Sequence, residues 1–198
     1  MSERRRVGPW QVRSTRIAYE NPWITLSHHE VTHPNGAPGI YGVVGFRNRA
    51  VGVLPIRDDG LIPLVGQHRF PLDRFSWELP EGGGPLDEAP LAAARRELSE
   101  ETGYTAHHWH ELMAFDVSNS VTDETAVGFL AWGLKPGRAA PEDSEEITVR
   151  HVDFPQLLSM CLDGTIRDSL TLVMTLTAAQ RAQRGELPRA VGRLIEAG

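Results

Sequence analysis

An α/β fold, built as an α/β/α sandwich around a mixed sheet and carrying a small N-terminal antiparallel sheet, is the class this sequence predicts. Three observations lead there. Short runs of β-branched and aromatic residues, bounded by Gly, Pro, Asn and Asp, recur from residue 24 to residue 152. A single strong helical pattern interrupts them at residues 90–102, and two more helical stretches, 154–163 and 168–184, come late. Strands on both sides of a central helix, with helices returning at the end, place helical layers on the two faces of one sheet.

The elements follow in order. Residues 10–46 carry β-like runs at 24–26 and 41–44, with turn signals at Asn21-Pro22 and Pro34-Asn35-Gly36. A sheet that small is not stable alone, so it must pack on the main domain or on a second subunit. Residues 1–48 are therefore set apart as an N-terminal sheet, and residues 49–185 as the main domain. That domain opens with residues 51–56, an Asp58-Asp59-Gly60 turn and residues 61–65, read as a hairpin leading into Gln67-His68-Arg69. Trp77-Glu78-Leu79-Pro80 then runs into the glycines at 82–84 and the helix. Pro90 suits the first turn, residues 91–98 are good helix formers, and Gly103 supplies the stop. Residues 110–115, 125–132 and 146–152 read as further strands. Residues 186–198 read as a ragged tail.

The length of 198 residues suits one domain with a small appendage. A formal net charge of −6 offers nothing for non-specific attraction to nucleic acid or an anionic membrane. The basic start Arg4-Arg5-Arg6 is followed by no apolar run, so neither a secretory leader nor a membrane span is expected. Cys161 is the only cysteine and lies in an apolar run, where it reads as buried filler. These features fit a reducing cytoplasm. His107, His108 and His110 are poorly spaced for tetrahedral zinc and read as surface or partly packed side chains.

The chemistry is concentrated on the central helix. Glu97, Glu100 and Glu101 stand at i, i+3 and i+4, so their carboxylates share one face. Like charges so arranged repel, and a hard divalent cation removes the repulsion while keeping positions for phosphate oxygens. The alternative is a solvated acidic face.

With its flanks the helix reads Gly82, five residues, Glu88, seven residues, then Arg96-Glu97-Leu98-Ser99-Glu100-Glu101-Thr102-Gly103-Tyr104. This resembles the Nudix box, with Tyr104 standing where that family has Ile, Leu or Val. Beyond the box, the segments from Tyr19 to Ile24, Gln67-His68-Arg69, Trp77 to Gly83, Thr122-Asp123-Glu124, Glu145-Glu146-Ile147 and Gly164 to Asp168 are similar to the ADP-ribose pyrophosphatase and nucleoside diphosphate sugar hydrolase branch. The resemblance implies the sandwich fold already inferred, an Mg²⁺ or Mn²⁺ cofactor, and a homodimer in which the N-terminal sheet exchanges between subunits. Hydrolysis of a nucleoside diphosphate sugar to a nucleoside monophosphate and a sugar phosphate is the implied activity. That branch usually carries a Pro in the loop after the box. Residues 118–124 have none, which brings GDP-mannose-type substrates in beside ADP-ribose.

Roles carried over by the resemblance are as follows. Glu97 and Glu101 ligate metal directly, Glu100 shares a metal or its water, and the backbone carbonyl near Glu81 completes the set. Arg96 orients these carboxylates. The general base comes from the acidic loop that holds Glu142, Glu145 and Glu146, with Glu145 preferred and Glu124 as the rival. From its residue type at the end of a strand leading toward the box, Arg69 is expected to bind a phosphate oxygen or form a structural ion pair, and Glu78 is grouped with it as substrate-binding. Trp23 and Tyr41 stack on the base or serve as core aromatics of the small sheet. Two other functions stand beside the leading one: a hydrolase of dinucleoside polyphosphates or NADH, and a non-catalytic nucleotide sensor, against which the three glutamates argue.

Overall fold

The computed structural model describes residues 5–140 and 146–196; Glu142 and Glu145 lie outside the described residues. Within it the chain divides into two compact units, Met1–Arg49 with Asp116–Thr125, and Ala50–Phe115 with Ala126–Gly198.

The first unit is an antiparallel meander of β1 (Arg5–Val7), β2 (Trp10–Glu20), β3 (Ile24–Thr32) and β4 (Pro38–Phe46), paired in that order. The Asn21-Pro22 turn forms because the Asn21 carboxamide oxygen accepts from the Trp23 and Ile24 N–H groups, at 2.9 and 2.8 Å. At the next turn Gly36 takes a positive φ of 87° that favours glycine. Strand β2 left little trace in the hydrophobic pattern because it is exposed along nearly its whole length. Residues 116–125 belong to this unit as well, a membership that a boundary drawn at residue 48 misses. Val44 N–H donates to Val121 O at 2.9 Å, and Phe46 N–H donates to Asp123 Oδ1 at 2.8 Å.

The second unit contains β5 (Asn48–Ile56), β6 (Ile62–Arg69), β7 (Arg74–Glu78), β8 (Glu81–Pro85), α1 (Pro90–Thr102), β9 (Tyr104–Asp116), β10 (Thr125–Pro136), β11 (Thr148–Val152), α2 (Phe154–Leu162), α3 (Ser169–Gln183) and α4 (Arg189–Glu196). One sheet runs β8-β5-β10-β9, with β5 and β10 parallel, and a second runs β11-β6-β7. The parallel β5–β10 pair, with the antiparallel β11-β6-β7 sheet in the same unit, makes a mixed α/β architecture of the predicted class. Its layers follow from residue size. Val51, Val53, Val127, Phe129 and Ala131 pack against Ala93, Ala94 and Leu98 of α1. Between them on the strands stand Gly52 and Gly128, paired in register, and α3 fills the space they leave. A Cβ on Gly52 would meet Leu170 at 2.6 Å, and one on Gly128 would meet Met174 at 2.8 Å. Helix α1 thus covers one face of the sheet and α3 the other.

Two expectations are corrected. Strands β5 and β6 do not pair as a hairpin. The Asp58-Asp59-Gly60 turn forms, with Gly60 N–H donating to Arg57 O at 2.9 Å, but the strands then diverge into different sheets. Both are buried on both faces, so their apolar runs carried no information about partners. Nor is the C-terminus a ragged tail. Residues 189–196 form α4, and Leu187, Val191 and Ile195 are buried at a spacing of four, one helical face. Charged residues between them obscured that period in the sequence.

Helix α1 is bounded as predicted: Pro90 occupies its first turn, and Gly103 at φ 73° ends it, donating to Ser99 O at 2.9 Å. No helix among the described residues is long and apolar enough to cross a membrane.

Candidate active site

The C-terminal half of α1 lies against β8, and backbone chemistry explains the fit. Glu101 is 2 % exposed, and its Oε2 accepts from the Glu81 N–H at 2.9 Å. Glu97 is also buried, and its carboxylate fills the space over Gly82. A Cβ at residue 82 would fall inside that carboxylate, which is why the position carries no side chain. Arg96 closes the arrangement. Its Nη1 donates to Glu97 Oε1 at 2.8 Å and to Glu100 Oε2 at 2.9 Å, and its Nη2 donates to the Gly83 carbonyl at 3.1 Å. Glu88 lies at 3.5 Å from the same nitrogen. Burial works against the guanidinium charge, but Glu97 and Glu100 outweigh it and hold Arg96 firmly protonated.

A second arginine gathers a second group of carboxylates. Arg69, at the end of β6, donates through Nε to both oxygens of Glu78 at 3.0 Å and through Nη2 to Glu78 Oε2, and it reaches Glu81 Oε1 at 3.3 Å. Glu78 is 3 % exposed, so it depends on that partner. Asp168 joins them from the N-cap of α3, where its Oδ2 accepts from Thr171 N–H at 2.6 Å. Glu78, Glu81 and Asp168 each place a carboxylate oxygen within 4.8 Å of the other two. Burial first, then the charges of Asp168 and Glu78, push the Glu81 carboxyl well above its ordinary range, while Arg69 pulls the other way. Glu81 Oε2 is buried without a hydrogen-bond partner among the described residues.

Sequence reasoning placed Glu97, Glu100 and Glu101 on one helical face, and they are there. Among the described residues, however, the three do not bring their oxygens within mutual reach of one small ion. Arg96 draws Glu97 and Glu100 to itself, and Glu101 turns to the Glu81 peptide. The mutually close triple is Glu78, Glu81 and Asp168. Glu81 enters through its side chain as well as its backbone, Arg69 is forked on Glu78, and Asp168 was given no role. In sequence Asp168 signals only a helix cap, which it also is, so its second position had no separate trace.

The remaining candidates are scattered. Trp23 is 65 % exposed at a turn. Tyr41 donates its hydroxyl to Ser120 O and meets Trp10 edge-on at 5.5 Å. Trp10, passed over in the sequence, is thus the ring beside Tyr41; both line a cavity of about 590 Å³ in the N-terminal unit. Glu146 is exposed, two residues before β11. Glu124 is half-buried, and burial together with neighbouring Asp123 raises its carboxyl. Cys161 is buried, and burial raises its thiol. His107 and His108 are exposed, with His108 stacked on Trp132.

Comparison with known proteins gives these features a family. A model described as the NUDIX domain matches residues 46–171, and one described as the nucleoside diphosphate sugar hydrolase N-terminal domain matches residues 10–44. An ADP-ribose pyrophosphatase of Bacillus subtilis (strain 168) is 35 % identical over 154 residues, covering 76 % of this chain and 75 % of its own. A CMP-5'-(N-acetyl-N-hydroxy-3-aminopropyl)phosphonate hydrolase of Streptomyces rubellomurinus is 30 % identical over 167 residues, covering 83 % and 79 %. Among solved structures, an ADP compounds hydrolase superposes with a TM-score of 0.80 at 16 % identity, over 92 % of this chain and all of that one. At that identity the likeness speaks to fold.

Proposed function

This chain belongs to the Nudix family of hydrolases, and from that premise we propose that it is a divalent-metal-dependent pyrophosphohydrolase of nucleoside diphosphate sugars. It would release a nucleoside monophosphate and a sugar phosphate. The observation that carries this reading is the docking of the α1 carboxylates on β8: Glu101 on the Glu81 peptide, Glu97 over Gly82, and Arg96 tying Glu97 and Glu100 to the Gly83 carbonyl. Support for the substrate class comes from the N-terminal domain match and from relatives whose names include ADP-ribose and CMP conjugates.

The donor set suits a hard cation. Every side-chain donor is a carboxylate oxygen, and Glu81 Oε2 lacks a hydrogen-bond partner among the described residues despite its burial. Glu97, Glu100, Glu101 and the Glu81 region would hold Mg²⁺ or Mn²⁺, with Glu78 and Asp168 as further oxygen donors beside them. Such an ion would screen pyrophosphate charge and make water a better nucleophile at neutral pH. The chain's own residues do the rest. Arg96 holds two glutamates in fixed directions, so little reorganisation accompanies reaction. Glu145 is the preferred base and Glu124 the rival; a Gln at the true base lowers turnover while sparing the Michaelis constant. Tyr41, with Trp10 or Trp23, offers the base a ring to stack on.

The same reading includes a cytoplasmic homodimer assembled through the N-terminal sheet. Ile17, Tyr19, Trp23 and Ile40 of that unit are exposed apolar side chains that a partner would cover. Light scattering at micromolar concentration is expected to give twice the chain mass. Phosphatase-coupled phosphate release, with Mg²⁺, across ADP-ribose, GDP-mannose, CMP and UDP sugars, NADH and diadenosine polyphosphates tests the activity. Turnover confined to the last two classes, or absent throughout, rejects the nucleotide-sugar reading.

A further inference from the structure

The cavity beside Glu81, about 440 Å³, is lined by Arg69, Arg74 and Arg167 together with Glu78, Glu81 and Asp168. The three arginines are not equivalent. Arg69 is taken up by its fork on Glu78 and its contact with Glu81. Arg74 and Arg167 form no ion pair and no side-chain hydrogen bond among the described residues. Arg74 is half-buried and stands directly opposite Arg69 in the β6–β7 register. Like charges facing each other across a strand pair weaken it, and a partly desolvated cation without an anion adds to that cost. Arg167 is exposed and lines the same cavity, so an anion bound there would give both arginines a partner that the fold does not.

Three carboxylates match the three guanidiniums in number but not in contact. Glu78 and Glu81 face Arg69, and Asp168 gives one oxygen to its helix cap. A divalent ion on these oxygens would cancel their charge further and leave the rim with two uncompensated guanidiniums. No aromatic ring lines the cavity among the described residues, so it offers a nucleobase nothing to stack on. It suits the other half of a nucleotide conjugate. A neutral sugar there would need acceptors for its hydroxyls, whereas planar guanidinium forks match phosphate or carboxylate.

We propose that Arg74 and Arg167 bind an anionic group on the non-nucleoside half of the substrate, a phosphate or carboxylate additional to the pyrophosphate, and so select charged over neutral sugars. The inference rests on the nucleotide-sugar reading above and specifies its substrate class.

Titration calorimetry of the Mg²⁺-loaded protein with three sugar phosphates tests it without reference to the nucleobase. Glucose 1-phosphate is neutral at C6, glucuronate 1-phosphate carries a carboxylate there, and glucose 1,6-bisphosphate a second phosphate. The expected result is at least ~10-fold tighter binding of one charged ligand than of glucose 1-phosphate, the scale of one charge-assisted contact. Which charged ligand wins distinguishes carboxylate from phosphate. The preference should collapse in Arg74→Gln and Arg167→Gln, both at surface-accessible positions. Equal binding of all three ligands, or a preference that survives the double substitution, overturns the proposal. Equal weakening of all three in the variants assigns the arginines to the shared phosphate and overturns it too. Hydrolysis of panel nucleotide sugars alongside any of these failures leaves the nucleotide-sugar reading intact, so the two can fail separately.

Discussion

Two arginines each hold a set of carboxylates in this protein, and they differ in how far along the chain they reach. Arg96 collects Glu97 and Glu100 from its own helix and the Gly83 carbonyl from the adjacent strand. Arg69 collects Glu78 and Glu81 across a hairpin, and Asp168 arrives from the cap of α3. The first cluster is set by helical spacing and survives as long as the helix does. The second exists only when three segments are already in place. Glu81 links them: its side chain belongs to the Arg69 cluster and its peptide holds Glu101 of the other. The local cluster therefore carries less of the fold's stability than the assembled one, which also lines the cavity beside Glu81.

The largest effect expected from this division is loss of activity on the local side. Glu101→Gln keeps shape and helix propensity but removes a buried charge and half-inverts its hydrogen bonding to the Glu81 peptide. Turnover should fall by at least ~10²-fold with the far-UV spectrum unchanged, the scale of removing a preorganised electrostatic contact. Excess EDTA should have a comparable effect on the parent enzyme. Near-parent turnover in either experiment would remove the metal platform from the mechanism.

Next comes Gly82→Ala. The added Cβ would occupy the position of the Glu97 carboxylate, which is the free end of a flexible side chain and can swing aside. The fold should therefore survive while Glu97 leaves Arg96. The expectation is a drop of ~10-fold or more in kcat/KM with weakened Mn²⁺ affinity by paramagnetic resonance, because small misplacements of a positioned group are costly. A stable variant with unchanged metal affinity would show that Glu97 is no ligand.

These two residues also show what the sequence could disclose. The helix, its stop at Gly103 and the acidic face were legible because each depends on neighbours a few positions away. The sandwich was legible from strand and helix order. Partners were not: β5 and β6 diverge instead of pairing, since strands buried on both faces read alike whichever sheet they join. Asp168 was read only as part of a segment, because a cap and a cluster member look the same in sequence. Trp10 was passed over for Trp23, since exposure depends on where a turn points a ring. Helix α4 was hidden because three buried positions among charged neighbours make a short, weak period.

A third test separates the clusters by stability. Arg69→Gln leaves Glu78, 3 % exposed, without its cation. Breaking a buried pair from one side is costly, and with Arg69 a third exposed the expected loss is about 2 kcal/mol. For a chain of this size that is a fall of roughly 4–8 °C in Tm. Arg96→Gln should lower Tm less and activity more, because its partners are less deeply buried than Glu78: side-chain exposure is 12 % for Glu97 and 33 % for Glu100, against 4 % for Glu78. If calorimetry finds the two variants equally destabilised, the functional division between the clusters fails.

The smallest effect concerns a third arginine, whose neighbours are an aromatic hydroxyl and an imidazole. Arg57 Nη1 donates to the Tyr104 hydroxyl at 3.2 Å, and that hydroxyl lies 3.2 Å from His151 Nε2 on β11. Tyr104 stands where the box ordinarily carries an aliphatic residue, so this contact is a feature of this chain. A neutral imidazole accepts the tyrosine proton while Arg57 supplies the other hydrogen bond; a protonated one would present a second donor beside a cation. Burial first, and then the Arg57 charge, lower the His151 pKa below its ordinary value, with Asp59 opposing. Because the folded pKa lies below the unfolded one, the native state binds fewer protons between them. Stability should therefore rise with pH through that interval and gain nothing more from His151 above about 6.5, the unfolded value. Proton NMR of the imidazole should place its midpoint below 6.5, and Arg57→Gln should move it upward. The Tm of the parent relative to His151→Asn should decline only as pH falls below that value. A midpoint at or above 6.5 would mean that the imidazole does not sense Arg57, and the contact would then be packing alone.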